Sequence, residues 1–142
     1  MKKTALFWTI ACAVLLLALS ACATNSASLT ANSWKLVSYG PVSGQVPAVA
    51  NVETSLTFGT DGKISGKLGC NSMGGDYSVA NGNITFKNVY ATEMACPDPQ
   101  MAQEGIAFMV LQNMTTFKID GSTLTINSTD GKYTLTFVAN TK

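Results

Sequence analysis

Four Asp-Gly or Asn-Gly dipeptides constrain the fold of this chain more than any other feature. They lie at residues 61–62, 81–82, 120–121 and 130–131. Asp, Asn and Gly tolerate the positive φ angles that tight β-hairpins require. Short alternating runs flank the dipeptides, such as Leu56 and Phe58 or Leu135 and Phe137, a pattern typical of strands with one buried face. The sequence therefore predicts a series of antiparallel hairpins.

Eight runs of this kind are predicted to be short strands. They span residues 33–39, 55–58, 63–68, 77–79, 83–90, 116–119, 123–127 and 132–139. Their number and spacing favour a mainly β domain of the α+β class, in which a compact antiparallel sheet curls toward a small barrel.

One segment breaks the alternation and is predicted to be a helix packed on the sheet. Asp98 is suited to cap it, Pro99 to occupy its first position, and residues 100–113 to continue it. Gly105 weakens such a helix by about 1 kcal/mol relative to Ala, which suggests close packing against a strand. A buried face is favoured over a partner-binding face. Its predicted residues are Met101, Ile106, Phe108, Met109 and Leu111.

The first 21 residues have the pattern of an export signal. Lys2 and Lys3 precede an apolar stretch that ends in Leu19-Ser20-Ala21-Cys22. This tetrapeptide resembles the lipobox of bacterial lipoproteins, in which the chain is cut before the cysteine and its thiol receives a diacylglyceryl group. The alternatives are simple secretion after a small-x-small cleavage site and an uncleaved membrane anchor. We expect residues 1–21 to be a signal peptide and Cys22 to carry lipid.

The expected lipid also predicts where the protein resides. Two or more acyl chains hold a protein durably on a membrane, so the membrane is its first predicted partner. Ala23, rather than Asp, follows the cysteine, which resembles lipoproteins of the outer membrane. We expect an envelope protein that faces the periplasm as a monomer. Residues 22–32 are small and polar and predict a flexible tether, which leaves residues 33–142 as a single domain.

The charged residues exclude several classes of function. The chain has no histidine and no arginine, and its nine lysines, two of them in the leader, face eight acids. No basic stripe exists for nucleic acid, and the commonest general base and metal ligand is missing. We predict no enzymatic activity, no cofactor and no metal site. Most of the acidic residues lie in predicted turns or beside helix caps, which accounts for their presence without a catalytic role. Glu93 and Glu104 are the least well accounted for in this way. We expect Glu104 to form hydrogen bonds with backbone groups near Cys96.

Two cysteines, Cys70 and Cys96, remain after the leader and the anchor are assigned. An even pair in an exported domain predicts a disulfide, with buried free thiols and redox or metal chemistry as alternatives. Glycines surround Cys70, and their density indicates bends or close backbone approach. We expect the segment from Gly69 to Asp76 to be a tight turn that the disulfide clamps.

Several residues, taken in order, resemble the META domain family, which includes HslJ-like heat-shock proteins. The most specific are the Gly-Cys-Asn turn at 69–71 and the Thr-x-Met-Ala-Cys segment at 92–96. The others are Trp34, Leu36, Phe58, Gly62, Ile64, Gly66, Gly75, Tyr77, Glu104, Phe108, Leu124, Ile126, Leu135 and Phe137. The resemblance implies a compact, mostly β domain with one helix, frequent in bacterial lipoproteins and linked to stress, without an active site to transfer.

The sequence thus favours a non-enzymatic envelope lipoprotein with a stress-related, maintenance or interaction role. One alternative is a small-ligand-binding β module, with Tyr39, Tyr77 or Tyr90 lining a site in the barrel or beside the helix. Another is an inhibitor that inserts the loop from Gly69 to Asp76 into an envelope protein partner.

Overall fold

A computed structural model describes residues 28–140 of the protein. The predicted signal peptide, the lipobox with Cys22 and the first half of the predicted tether lie outside the described residues. A helix, α1, spans Gln100–Val110. The strands in chain order are β1 Ser33–Pro41, β2 Val46–Pro47, β3 Ser55–Phe58, β4 Lys63–Lys67, β5 Ser72–Ala80, β6 Asn83–Ala91, β7 Met114–Asp120, β8 Thr123–Asn127 and β9 Tyr133–Asn140.

The strands form a closed antiparallel barrel, as predicted. Neighbours pair in the order β1-β3-β4-β5-β6-β7-β8-β9, and β9 returns to pair with β1. The closing ladder runs from Ser33 opposite Asn140 to Pro41 opposite Tyr133. The short strand β2 pairs with the second half of β1 and adds a ninth strand, which the sequence did not predict because it lacks an alternating run.

All four predicted dipeptides join paired strands. Left-handed backbone occurs at Gly62, Asn81, Gly82, Gly121 and Gly131. In the last turn, the Asp130 carboxylate accepts hydrogen bonds from the Ser128 hydroxyl (2.6 Å) and the Lys132 backbone N–H (3.0 Å). These bonds, the Ser128 bond most, hold the pKa of Asp130 below its ordinary value of 3.8. The hairpin predictions are confirmed.

The barrel interior is filled by apolar side chains. Trp34, Phe58 and Phe137 are at most 1% exposed. Other apolar residues of strands β3 to β9 pack around them, some fully buried and others, such as Tyr77, Val79 and Phe117, partly buried. Burial of such a side chain contributes about 1.5–3 kcal/mol each. These side chains occupy the position inside the barrel that one version of the ligand-binding hypothesis gives to a ligand.

Packing begins before the predicted domain boundary at Ser33. Leu29 is fully buried, and its carbonyl oxygen accepts a hydrogen bond of 2.9 Å from the Trp34 indole N–H. Residues 28–30 are helical. The second half of the segment expected to be a flexible tether therefore belongs to the folded domain.

The helix exists where expected, but its start and its buried face differ from the predictions. It begins at Gln100, one residue late, and no side-chain hydrogen bond caps it, so the Asp98 cap is wrong. Its buried residues are Gln103, Glu104, Ala107 and Val110. Met101 and Met109 lie on the exposed side (37% and 48%). Leu111 is fully buried, and Ile106 and Phe108 are partly buried against the core, so the predicted apolar face is right for these residues and wrong for the two methionines. The polar residues Gln103 and Glu104 are buried in addition, which the apolar pattern did not predict.

Gly105 also differs from the expectation. A Cβ atom built on it meets nothing within 4 Å, so it packs against no strand.

The two ends of the barrel are unlike. The turns at 61–62, 81–82 and 120–121 lie at one end, here called the turn end, where β1 also begins. The other end, here called the helix end, carries α1, segment 68–71 and the long β1–β3 connection. Among residues 28–140 no helix is both long and apolar enough to cross a bilayer.

Candidate functional site

A buried carboxylate organises the helix end of the barrel. Glu104 on α1 is 5% exposed. Its Oε2 accepts hydrogen bonds from the backbone N–H groups of Cys70 (2.8 Å) and Asn71 (2.5 Å), and its Oε1 accepts one from Asn71 Nδ2 (2.7 Å). A buried charge is costly unless such donors surround it. The helix is thereby fixed to the turn that precedes β5.

The Asn71 side chain continues this network to the segment before the helix. Its Oδ1 accepts hydrogen bonds from the Thr92 hydroxyl (2.8 Å) and the Met94 backbone N–H (2.7 Å). Its Nδ2 also donates to the Met94 carbonyl (3.3 Å). Asn71 is 4% exposed and uses both ends of its amide. The group of Asn71, Thr92, Met94 and Glu104 is called the Glu104 network below.

A disulfide between Cys70 and Cys96 lies beside the Glu104 network, with the two Cα atoms 5.9 Å apart. Gly69, the residue before Cys70, allows the helix to approach. A Cβ at this position would lie 2.7 Å from the Gln100 carbonyl oxygen and 2.7 Å from the Glu104 Cβ. Only glycine fits there without displacing the helix.

Gln103 extends the same anchoring to the β1–β3 connection. Its Oε1 accepts a hydrogen bond from the Val49 N–H (2.7 Å), and its Nε2 donates to the Leu68 carbonyl (2.6 Å). Gln103 and Glu104 together thus hold two segments of the chain, residues 68–71 and the β1–β3 connection, against α1. Their donors and acceptors are occupied by the protein itself, so this buried cluster has a structural role.

A second feature lies on the outer surface of strands β4, β5 and β6. The Tyr90 side chain is 69% exposed, and the phenol end of its ring lies over Gly74 on the neighbouring strand. A cleft of about 390 Å³ adjoins the ring, lined also by Lys63, Ser65, Asp76 and Asn88. This group is called the Tyr90 cleft below.

Hydrogen bonds fix the polar rim of the Tyr90 cleft. Asp76 Oδ1 pairs with Lys63 Nζ (2.5 Å), and its Oδ2 accepts a hydrogen bond from Asn88 Nδ2 (2.7 Å). The bond from Lys63, and next the bond from Asn88, hold the pKa of Asp76 below its ordinary value of 3.8. The same pair raises the pKa of Lys63. The carboxylate and the ammonium are therefore both charged across the neutral range and offset each other.

Comparison with known families decides what kind of domain this is. The family model for the META domain matches residues 27–141. The chain belongs to the META domain family. The resemblance inferred from the sequence is therefore confirmed. No curated protein matches the chain.

Solved structures share the architecture of this META domain. An NMR structure of a protein from Burkholderia xenovorans is 26% identical, with a TM-score of 0.67 over 80% of this chain and 85% of its own. A second NMR structure is 25% identical, with a TM-score of 0.63 over 79% and 92%. A DUF4847 family protein from Bacteroides vulgatus is 12% identical, with a TM-score of 0.56 over 80% and 96%, and shows likeness of fold alone.

The two most specific META motifs meet in the Glu104 network. The Gly-Cys-Asn turn and the Thr-x-Met-Ala-Cys segment, far apart in sequence, are joined by the disulfide and by the Asn71 side chain. The sequence predicted that Glu104 bonds backbone near Cys96. The carboxylate instead bonds backbone on the Cys70 side, because it projects toward the turn that Gly69 opens.

The segment from Gly69 to Asp76 is not the clamped loop that the sequence predicted. Only its first residues turn, because Ser72 already begins strand β5. Cys70 and Asn71 are 1% and 4% exposed, so the segment does not protrude. The segment is therefore part of the barrel wall rather than the protruding loop that the inhibitor hypothesis assumed.

The three tyrosines proposed as ligand contacts fall in different places. Tyr39 is buried at 7% exposure. Tyr77 packs edge-to-face on Phe58 with ring centroids 5.0 Å apart, and its hydroxyl donates to the Gly59 carbonyl. Burial raises the pKa of Tyr77. Only Tyr90 among the three presents its ring to solvent.

The remaining acids outside the two groups described above lie at the surface or in turns. Asp61 accepts from the Lys63 backbone N–H in its turn, and Asp120 pairs with Lys118 at the surface. Glu53, Glu93 and Asp98 are exposed. Within residues 28–140 no group of three or more metal-ligating side chains comes together.

Proposed function

We propose that the protein is a non-enzymatic, lipid-anchored envelope protein that acts through contacts on the outer surface of its META domain. The filled barrel carries this proposal. Apolar side chains occupy the interior of this small β barrel, where a bound ligand or a reaction would otherwise be placed. The buried polar groups of the Glu104 network are occupied by one another. What the folded domain offers to other molecules is its exterior.

The position of Leu29 supports a domain held close to its membrane. Leu29 is buried beside Trp34, near the turn end of the barrel. Six residue steps separate Cys22 from Ser28, and an extended chain of that length spans at most about 20 Å. A lipid on Cys22 would keep the turn end near the bilayer. The helix end, with α1 and the disulfide, would then face away from the membrane.

Acylation tests the anchor directly. Radiolabelled palmitate should enter the wild-type protein and should not enter Cys22→Ser. Cys12→Ser is the matched control, since it removes the other leader cysteine and should label normally. Equal labelling of Cys22→Ser and the wild type would refute the lipid anchor.

A role in envelope stress or maintenance is supported by family membership and by the proposed anchor. A strain that lacks the protein should lose growth under heat, antibiotics or detergent. The wild-type gene should restore growth, and Cys22→Ser should do so poorly because its product leaves the membrane surface. Normal growth of the deletion strain in all three conditions would argue against the stress role while leaving the anchor intact.

A further inference from the structure

The Tyr90 cleft has the layout of a binding surface. Large aromatic rings are usually buried, yet the Tyr90 side chain is 69% exposed. Its phenol end lies over Gly74, where a Cβ atom would come within 2.5 Å of the Tyr90 hydroxyl oxygen. Glycine at 74 thus lets the ring lie along the sheet instead of standing away from it. Contact with Gly74 limits the rotamers open to the ring, and a side chain restricted before binding loses less entropy when a ligand binds.

The backbone beside Tyr90 is bent, and the bend places the side chains of Asn88 and Asp76 next to each other. Asn88 adopts a left-handed conformation with φ of 50°, uncommon for a residue other than glycine. The β5–β6 ladder shifts register between Gly74 and Asp76, directly opposite this position. Bulges of this kind re-aim side chains and are frequent near functional sites. Here the bend brings Asn88 Nδ2 to Asp76 and both side chains to the edge of the cleft.

The electrostatics of the cleft select for a neutral ligand. Lys63 and Asp76 form an ion pair, so the rim carries no net charge. It nevertheless offers hydrogen-bond donors and acceptors, since an ammonium has three N–H groups and a carboxylate has about four acceptor sites. An anionic nucleotide would meet the Asp76 carboxylate, and an aliphatic ligand would leave the polar rim unpaired.

We propose that the Tyr90 cleft binds one neutral pyranose ring of a glycan. A pyranose has an apolar face of C–H groups, which matches the exposed face of the Tyr90 ring. The hydroxyl groups of the pyranose lie around the edge of that face, where side chains next to Tyr90 can form hydrogen bonds with them. Asp76 and Lys63 accept from and donate to these hydroxyls, and Asn88 holds Asp76 in place. This site is independent of the lipid anchor and of any stress role.

Chitotriose and cellotriose are suitable probes because both are uncharged chains of pyranose rings. The full chain would be isotope-labelled and held in a zwitterionic detergent, since a detergent with a sugar head group would compete. Each trisaccharide would be titrated to about 10 mM, ten times the Kd of a millimolar site. Amide NMR signals of residues 63–65, 74–76 and 88–90 should shift with at least one trisaccharide.

Three variants separate stacking from folding. Tyr90→Phe keeps the ring and should bind within about threefold of the wild type. Tyr90→Leu still covers Gly74 but has no aromatic face, and it should bind at least tenfold more weakly. Asp76→Asn should also weaken binding. Met109→Ala is the control for an exposed apolar side chain elsewhere, and it should bind like the wild type.

Two results would overturn the proposal. One is the absence of any shift in the cleft with either trisaccharide. The other is binding by Tyr90→Leu equal to that of the wild type, which would place the sugar away from the ring. Neither result bears on palmitate labelling at Cys22.

Discussion

Replacement of Glu104 by Gln alters a single terminal atom of the buried carboxylate that joins the helix to the β4–β5 turn. The carboxylate accepts three hydrogen bonds, two from backbone N–H groups and one from Asn71 Nδ2. A glutamine has one acceptor oxygen. If that oxygen faces the two backbone donors, its NH₂ group faces the NH₂ group of Asn71, and two donors oppose each other.

The Asn71 amide cannot rotate to relieve this conflict. Its oxygen already accepts hydrogen bonds from the Thr92 hydroxyl and the Met94 N–H, which a rotation would break. One charge-assisted hydrogen bond, worth about 1.5–3 kcal/mol, is therefore lost, and the other two become weaker neutral bonds. Relief from burying a charge offsets part of the loss. We expect Glu104→Gln to lower the free energy of unfolding by about 3 kcal/mol.

Urea unfolding under oxidising conditions measures this effect. With a denaturant slope of about 1.5–3 kcal/mol per M, the midpoint should fall by about 1–2 M. Glu93→Gln makes the same change on an exposed side chain and should alter the free energy of unfolding by no more than about 0.5 kcal/mol. If Glu104→Gln is as stable as Glu93→Gln, the Glu104 network does not stabilise the helix end as argued.

Four further predictions concern Gly105, Thr134, the disulfide and Asp130. Gly105→Ala should raise the free energy of unfolding by about 0.5–1 kcal/mol in urea, because the helix gains propensity and a Cβ atom there meets open space; a loss of stability would contradict the open environment. Thr134→Val should raise the free energy of unfolding by about 1 kcal/mol, because the Thr134 hydroxyl is the one buried side-chain polar group without a hydrogen-bond partner among residues 28–140. A decrease in stability would show that this hydroxyl does have a hydrogen-bond partner. Replacing Cys70 and Cys96 together by Ala should lower the free energy of unfolding by about 3.5 kcal/mol, from the loop-entropy relation for a separation of 26 residues. A decrease under about 1 kcal/mol in urea unfolding would mean that the disulfide restricts the unfolded chain only slightly. The lowered pKa of Asp130 stabilises the fold above pH 3.8, and this contribution is lost as the pH falls through the pKa of the folded state. Between pH 5 and 2 the wild type should therefore lose more stability than Asp130→Asn. Parallel plots of stability against pH for the two proteins would contradict this prediction.

The sequence alone predicted the β architecture because its signals are local. An Asp-Gly or Asn-Gly dipeptide specifies a hairpin through the φ angles of two residues, and alternation specifies which side chains face inward. Both signals can be read without knowledge of distant contacts. For this reason the sequence predicted the bounds of strands β3 and β8 correctly. The META resemblance likewise depended on residue identities in order, and it was correct.

The helix end was harder to predict, because the burial of its residues depends on partners that are distant in the sequence. Gln103 and Glu104 look like solvent-facing residues of an amphipathic helix. They are buried because segment 68–71 and Val49 present backbone groups to them. The apolar stripe predicted for α1 was wrong at Met101 and Met109 for the same reason, although its Leu111 is buried. A periodicity argument assigns polar residues to water and has no means of finding a buried donor that is remote in sequence.

The outer surface was also decided by the tertiary structure. Tyr39, Tyr77 and Tyr90 are equivalent as aromatic residues in alternating runs, yet only Tyr90 lies on the outer face, over a glycine of the next strand. Lys63, Asp76 and Asn88 come from three strands, and register places them together. The sequence by itself determined that the chain forms hairpins and which family it joins. Only closure of the barrel decided which polar groups are buried and which side chains are presented at its surface, because both depend on pairing between residues distant along the chain.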